Sequence, residues 1–292
     1  MAPGNGGTSL NPRTAYRECR RRARRHYENF PVASLALPRR LRDPVAAIYA
    51  FAREADDLAD EGEMAAEERL AALDERERRL EAAVAGTPDP EDPVQVALAD
   101  AIPRYRLPVQ PFRDLLSAFR QDVTKSRYAD FGEVMDYCRR SANPVGRLLL
   151  ALYGVEDERT IAHSDALCSG LQLVNFLQDI RQDIDESDRI YLPAADMERH
   201  GVTERHLREG ISDPAMRGLL REQIERARRL LRGGAQLGKR LPGRAGFEAR
   251  LILYGGVRTL GRLHDQKDDL FSRPRLRLRD KAWVFWRALR PR

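Results

Sequence analysis

Apolar residues recur at three- and four-residue intervals through nearly all of this 292-residue chain, and the patterned runs are separated by clusters of Gly and Pro. Alternating strand patterns are nearly absent, so the chain is expected to be all-α. Pro12 opens a helix expected to run to about His26, and Pro44 stands at the start of another that reaches Glu61. After Gly62, AAEERLAALDERERRLEAAV reads as an amphipathic helix that GTPDPEDP ends. Further helices are expected from Val94, from Pro111 to about Thr124, from Phe131 through Leu152, and from Glu158 to Asp183. Beyond Arg189, IYLPAADMERHGV breaks the pattern, and two long helices follow at roughly 213–239 and 245–264. No flexible linker or solenoid-length repeat divides the chain, so residues 11–292 are expected to form one helical domain behind a disordered stretch over 1–10.

Composition narrows the function classes. With 42% hydrophobic and 33% charged residues and a mean hydropathy of -0.58, the chain has the make-up of a water-facing globular protein. No apolar run approaches the ~18 residues of a spanning helix, and the first residues lack a signal-type apolar stretch, so a cytoplasmic location is expected. Cys19, Cys138 and Cys168 are widely spaced, which argues against a zinc site or a disulfide framework and for buried apolar roles. The charge of +6 suits nucleic acid, anionic lipid or a phosphorylated substrate equally well. Much of it lies in RECRRRARRH near the start and RPRLRLRDKAWVFWRALRPR at the end, which read as solvated helix faces or tails. A basic helical module for nucleic acid would have no use for the paired acidic turns described next, so no nucleic-acid partner is expected. WVFWRALR mixes aromatic and basic residues as interfacial helices do. Peripheral attachment to an anionic inner membrane is therefore one expectation, and core packing of Trp283 and Trp286 the other.

Two acidic turns carry the chemistry. AIYAFAREADDLADEGE sets Asp56 and Asp60 four residues apart, one helical turn from each other, with Asp57 and Glu61 as a second pair beside them. Like charges at this spacing destabilise a helix by a few tenths of a kcal/mol, and unpaired carboxylates on a half-buried helix cost more. Asp179 and Asp183 repeat the spacing 123 residues later, with Asn175 one turn earlier on the same face. Carboxylate and amide oxygens are hard ligands that suit magnesium, which joins a few carboxylates to substrate phosphates. Two such helices facing each other would cradle a diphosphate, whose departure creates charge that metal ions neutralise. Taken alone, either pair reads as a solvated acidic face. Two copies, each continuing an apolar helix, point to a metal-dependent phosphate site.

These motifs resemble the squalene and phytoene synthase family, over about Tyr16 to Leu289. The blocks that carry the resemblance are HYENFPVASLALPRRLRDPVAAIYAFAREADDLADEGE, DYCRRSANPVGRLLL and LQLVNFLQDIRQDIDESDRIYLP, in that order. The resemblance implies an isoprenoid-synthase-type helical bundle with a central prenyl tunnel. It implies Asp56, Asp60, Asn175, Asp179 and Asp183 as ligands of about two or three magnesium ions bridging a diphosphate. Tyr49 and Arg53 become diphosphate neighbours on the stripe that leads to Asp56 and Asp60. His26, Phe30, Tyr137, Gln172, Arg189, Tyr191 and Tyr254 fall at positions the family uses around the substrate. Many condensing relatives have arginine before the second motif, where this chain has Gln178. That residue, ENFPVASLALPRRLR and the RPRLRLRDKAWVFWRAL tail resemble the hydroxysqualene synthase branch of bacterial hopanoid pathways. The branch implies a lyase that ionises presqualene diphosphate and quenches the rearranged cation with water, with Tyr137, Gln172 and Tyr254 as candidates to position it. The nearer alternative is a prenyltransferase that condenses two prenyl diphosphates to presqualene diphosphate, phytoene or dehydrosqualene. No G-x-G-x-x-G follows a strand, so no NADPH is expected.

Overall fold

The computed structural model describes residues 10–25, 37–60, 62 and 64–290. The expected disorder over 1–10 falls almost wholly outside these residues. Among them there is no strand; one isolated parallel bridge joins Arg127 to Ile190. The chain is all-α and forms two compact units. One takes the described residues up to Val123 together with Leu148–Val155, and the other takes Thr124–Arg147 and everything from Glu156 onward.

The first unit contains α1 (Pro12–Arg25), a short 3-10 turn at Arg39–Leu41, α2 (Arg42–Asp60), α3 (Ala66–Val84), α4 (Pro93–Tyr105) and α5 (Gln110–Thr124). Polar side chains start these helices where the sequence offers them. Asn11 Oδ1 accepts from Thr14 N at 2.9 Å, and Asp92 Oδ1 accepts from Val94 N at 2.9 Å, with Pro93 at the first position of α4. The apolar face of α2 is buried, and Phe51 meets Phe112 of α5 edge to face at 5.2 Å. Glu54, on the same helix, takes ion pairs from Arg22 of α1 and Arg76 of α3. The middle of α2 is thus clamped between its neighbours by both apolar and ionic contacts.

The second unit holds α6 (Phe131–Ser141), the start of α7 (Asn143–Leu152), α8 (Glu158–Gln178), α9 (Ile180–Ser187), α10 (Ala194–His200), α11 (Glu204–Glu209), α12 (Pro214–Gly234), α13 (Leu237–Arg240), α14 (Gly243–His264) and α15 (Leu278–Leu289). Three expected helices are broken. The 131–152 run divides at Ala142, because Pro144 lacks the N–H that would continue the ladder to Arg140. The 158–183 run divides at Asp179, whose ψ of 12° leaves the helical range. The 213–239 run stops at Gly234 and resumes as the single turn α13. The pattern-breaking stretch after Arg189 contains two short helices, α10 and α11, and the basic tail forms α15.

Helices α8 and α12 cross at very short range through glycine. A Cβ on Gly234 would lie 2.7–2.8 Å from the backbone N, the Cα and the Cβ of Leu167, and one on Gly170 would lie 3.1 Å from the backbone N of Leu231. Helix α8 also meets α7 closely at one point, where a Cβ on Gly146 would lie 2.4 Å from Ser164 Oγ. Buried Asn143 Oδ1 accepts from Ser169 Oγ at 2.8 Å and fixes the same crossing. The helix that ends in the second acidic turn is therefore positioned by backbone approach. Gly234→Val should lower the unfolding free energy by about 1–3 kcal/mol through overpacking, read as a lower denaturation midpoint at unchanged slope. Wild-type stability would show that the crossing relaxes freely.

Candidate functional site

In the first unit the acidic turn is the last turn of α2, which carries no basic residue of its own. Asp56, Asp57 and Asp60 thus add negative charge where the helix dipole is already negative, the least favourable end for carboxylates. Two arginines compensate, one from the preceding turn of α2 and one from α3. Arg53 Nε pairs with Asp57 Oδ1 at 2.6 Å, and its Nη1 reaches Asp56 Oδ2 at 3.4 Å. Arg69 of α3 closes the helix end by donating to the carbonyls of Leu58 (3.2 Å), Gly62 (2.7 Å) and Met64 (3.1 Å). Tyr49 is half-buried one turn before Arg53, and burial raises its phenol pKa, an effect the Arg53 charge opposes. Asp56 is half-buried and Asp60 exposed. The predicted stripe is present, and Asp57, which was not among the expected ligands, lies closer to Arg53 than Asp56 does. His26 and Phe30 lie outside the described residues.

In the second unit Asp179 joins α8 to α9. Although the helix breaks there, Asp179 N bonds to Asn175 O at 2.9 Å and Asp183 N to Asp179 O at 2.8 Å. The one-turn spacing survives the break. Asn175 is exposed, while Asp179 and Asp183 are half-buried. Burial, and then the negative charge of Asp179, push the Asp183 carboxyl up to about 7. Burial also raises Asp179, against the pull of Arg273. Arg273 Nε sits 2.7 Å from Asp179 Oδ1, and Gln178 Nε2 donates to Pro274 O at 3.1 Å. The Arg273–Pro274 segment is thus fastened to the acidic turn. Sequence reading missed Arg273 because it lies 94 residues away in a run that looks like a solvated tail.

The segment Arg189–Pro193 runs extended along 126–129, with Ile190 N donating to Ser126 O and Ala194 N to Tyr128 O, both at 2.9 Å. That pairing brings Tyr191 onto Phe176, stacked at 3.7 Å and 10°. Tyr137 lies 5.6 Å from Tyr191 and 6.0 Å from Phe176, and Tyr128 lies 5.4 Å from Tyr191. Four aromatic rings make one wall beside the acidic turn. Tyr137 and Tyr191 were expected there; Phe176 and Tyr128 were not, although Phe176 follows Asn175 directly. Gln172 is half-buried one turn before Phe176. The charge of Arg189 lowers the Asp183 carboxyl, partly offsetting its burial. Tyr254 lies on α14, where its ring meets Trp283 edge to face at 6.0 Å, under the Arg287 guanidinium at 5.2 Å.

Among the described residues no three His, Cys, Asp or Glu side chains converge on one point. Each aspartate pair could therefore hold a divalent ion only with further oxygens from phosphate and water, which is how magnesium is ordinarily held. Two half-buried carboxylates, one with its pKa near neutrality, fit such a cation in donor type and in charge. Cys19 and Cys138 are buried, Cys168 half-buried, and all three are free thiols that burial raises to about 11 or 12.

The all-α fold and paired acidic turns define an isoprenoid-synthase class of protein. The squalene/phytoene synthase family profile matches residues 23–281, and the chain belongs to that family, whose enzymes act on prenyl diphosphates. The chain is 40% identical to the hydroxysqualene synthase of Sinorhizobium fredii over 77% of its length and 76% of the relative's. It is 39% identical to that of Rhodopseudomonas palustris over 86% and 84%. It is 37% identical to the 15-cis-phytoene synthase of Synechococcus elongatus over 73% and 72%. Among solved structures, a squalene synthase from Alicyclobacillus acidocaldarius superposes with a TM-score of 0.81 at 38% identity, covering 89% of this chain and 97% of that one.

The raised Asp183 carboxyl has a consequence for stability without metal. The folded state holds its proton up to about pH 7 while the unfolded chain releases it near ~3.9, so this group costs stability as pH rises between those values. Asp183→Asn should therefore raise metal-free stability by about 1–3 kcal/mol at pH 8 and by almost nothing at pH 4. It should also lower turnover by roughly two to four orders of magnitude. Equal stability of the two proteins at pH 8 would refute the buried charge, and near-normal turnover would remove Asp183 from the site.

Proposed function

We propose that this enzyme ionises presqualene diphosphate in a magnesium-dependent step and captures the rearranged cation with water, releasing hydroxysqualene and diphosphate. The observation that carries the reading is Gln178. A neutral amide precedes the second acidic turn, and its Nε2 is committed to Pro274 O, so position 178 brings no positive charge for a second diphosphate. The identity to hydroxysqualene synthases, over as much as 86% of this chain, supports the same choice.

Magnesium held by Asp56, Asp60, Asn175, Asp179 and Asp183 would neutralise the charge on the departing diphosphate. Arg53, Arg189 and Tyr49 bring positive charge and a hydrogen-bond donor to the phosphate oxygens. Heterolysis of the carbon–oxygen bond leaves its electron pair on diphosphate and a cyclopropylcarbinyl cation behind. The rings of Tyr137, Phe176, Tyr191 and Tyr128 offer π faces that stabilise positive charge where water is scarce. Gln172 and the Tyr137 hydroxyl are the polar groups on this wall suited to hold one water. Its oxygen attacks the cation, and the proton is lost to solvent. No hydride donor enters the sequence.

The phytoene synthase relatives at 37% identity favour a second reading, condensation of two prenyl diphosphates. Purified enzyme given presqualene diphosphate and magnesium without NADPH should release diphosphate and hydroxysqualene, with the hydroxyl labelled by oxygen-18 water. The reading fails if turnover requires NADPH. It fails equally if farnesyl or geranylgeranyl diphosphate is condensed efficiently while presqualene diphosphate is left untouched.

A further inference from the structure

Seven large apolar residues are exposed among the described ones, and four of them, Leu278, Phe285, Trp286 and Leu289, lie on the twelve-residue α15. Single exposed apolar residues are ordinary; a cluster marks a contact surface. At about 100° per residue the four fall within an arc of about 100°. Their exposures of 83%, 52%, 47% and 55% show that the arc faces outward. The roughly opposite side, Asp280, Val284 and Ala288, is buried against the rest of the unit. Helix α15 thus has one face used by the fold and an apolar face left over. Phe247 of α14 meets Phe285 edge to face at 5.7 Å and carries the outward face onto a second helix.

The charge pattern identifies the occupant. Between Phe271 and Arg290 there are seven basic residues and one acidic residue. That acid, Asp280, is fully buried, accepting from Arg258 Nε at 2.6 Å, from Arg262 Nη2 at 2.7 Å and from the backbone N of Arg277 at 2.9 Å. The exposed arc therefore carries no carboxylate. Lys281 borders it on one side and Arg279 and Arg290 on the other, with the Arg290 guanidinium 4.6 Å over the Trp286 ring. A protein partner would be met by a mixed-charge rim of fixed complementarity. An apolar stripe edged on both sides by cations alone matches a continuous anionic surface with hydrocarbon beneath it.

We propose that α15 docks this enzyme on anionic bilayers, with Phe285, Trp286 and Leu289 entering the acyl boundary and Lys281, Arg279 and Arg290 contacting lipid phosphates. No described helix is long and apolar enough to cross the membrane, so the contact is peripheral. The inference stands whichever prenyl diphosphate the enzyme uses.

Both tryptophans of the chain are on α15, so their emission reports this helix. The full chain should float with phosphatidylcholine vesicles that contain phosphatidylglycerol, with a blue shift of emission that Trp283→Phe retains, and should stay in solution with phosphatidylcholine alone. Phe285→Glu with Leu289→Glu, and separately Arg279→Gln with Lys281→Gln, should each lower the partition coefficient at least tenfold. Turnover of detergent-dispersed substrate should stay unchanged. Failure to float, or flotation indifferent to both double variants, overturns the proposal. Light scattering that shows a dimer dissociated by the apolar variants would assign the face to a second copy of the chain and also overturn it.

Discussion

The constraint on which the molecule turns is carboxylate charge concentrated at helix ends and partly withdrawn from water. In the first unit three aspartates crowd the negative end of α2, and in the second Asp183 is buried beside Asp179. A helix carrying such a terminus gains nothing from it in isolation, since dipole, like charge and burial all act against it. The surrounding fold supplies fixed positive charge without cancelling the excess. Arg53 and Arg69 serve the first turn, and Arg273 and Arg189 the second. Carboxylates so placed cost the fold stability, a trade of the kind made where charge serves a function.

Holding such groups in place demands a rigid scaffold, and helix α8 gets it from glycine. Gly146, Gly170 and Gly234 leave no room for a Cβ where α8 meets α7 and α12, and at Gly170 and Gly234 the close neighbours include backbone atoms, so the packing there is tight. Its C-terminal Asn175 and Asp179 inherit that rigidity. The extended pairing of 126–129 with 190–195 does the same for Arg189 and Tyr191, because backbone hydrogen bonds specify register where side-chain packing alone would not.

The parts that could be read from sequence are those whose spacing is local. Asp56 and Asp60 share a turn because four residues make a turn, and the Asp179 and Asp183 spacing survives even a break that the pattern did not foretell. The break lies at the ψ angle of Asp179, whose side chain pairs with Arg273, and no periodicity reveals either. Pro144 marks the division after Ala142, but the apolar periodicity of the sequence continues across it. Tyr137 and Tyr191 were grouped with the site through family resemblance. Tyr254 was grouped with them on the same grounds, and the contacts of its ring, under Arg287 and against Trp283, are not ones that periodicity announces. An apolar helix position does not say which of two neighbours it meets.

Helix α15 shows how a buried charge can shape an exposed surface. Had Asp280 faced outward, it would have met the cations of its own helix and left a mixed, water-loving face. Turned inward, it draws Arg258 and Arg262 of α14 beneath it and holds its carboxyl well below the usual range, with the Arg262 bond the largest cause. That anchor keeps its charge at any pH above the ordinary carboxylate range, so the helix stays pinned while its outer cations remain unopposed. The ion pair that fixes α15 to the fold is thereby also what leaves its other face apolar and wholly cationic at the rim.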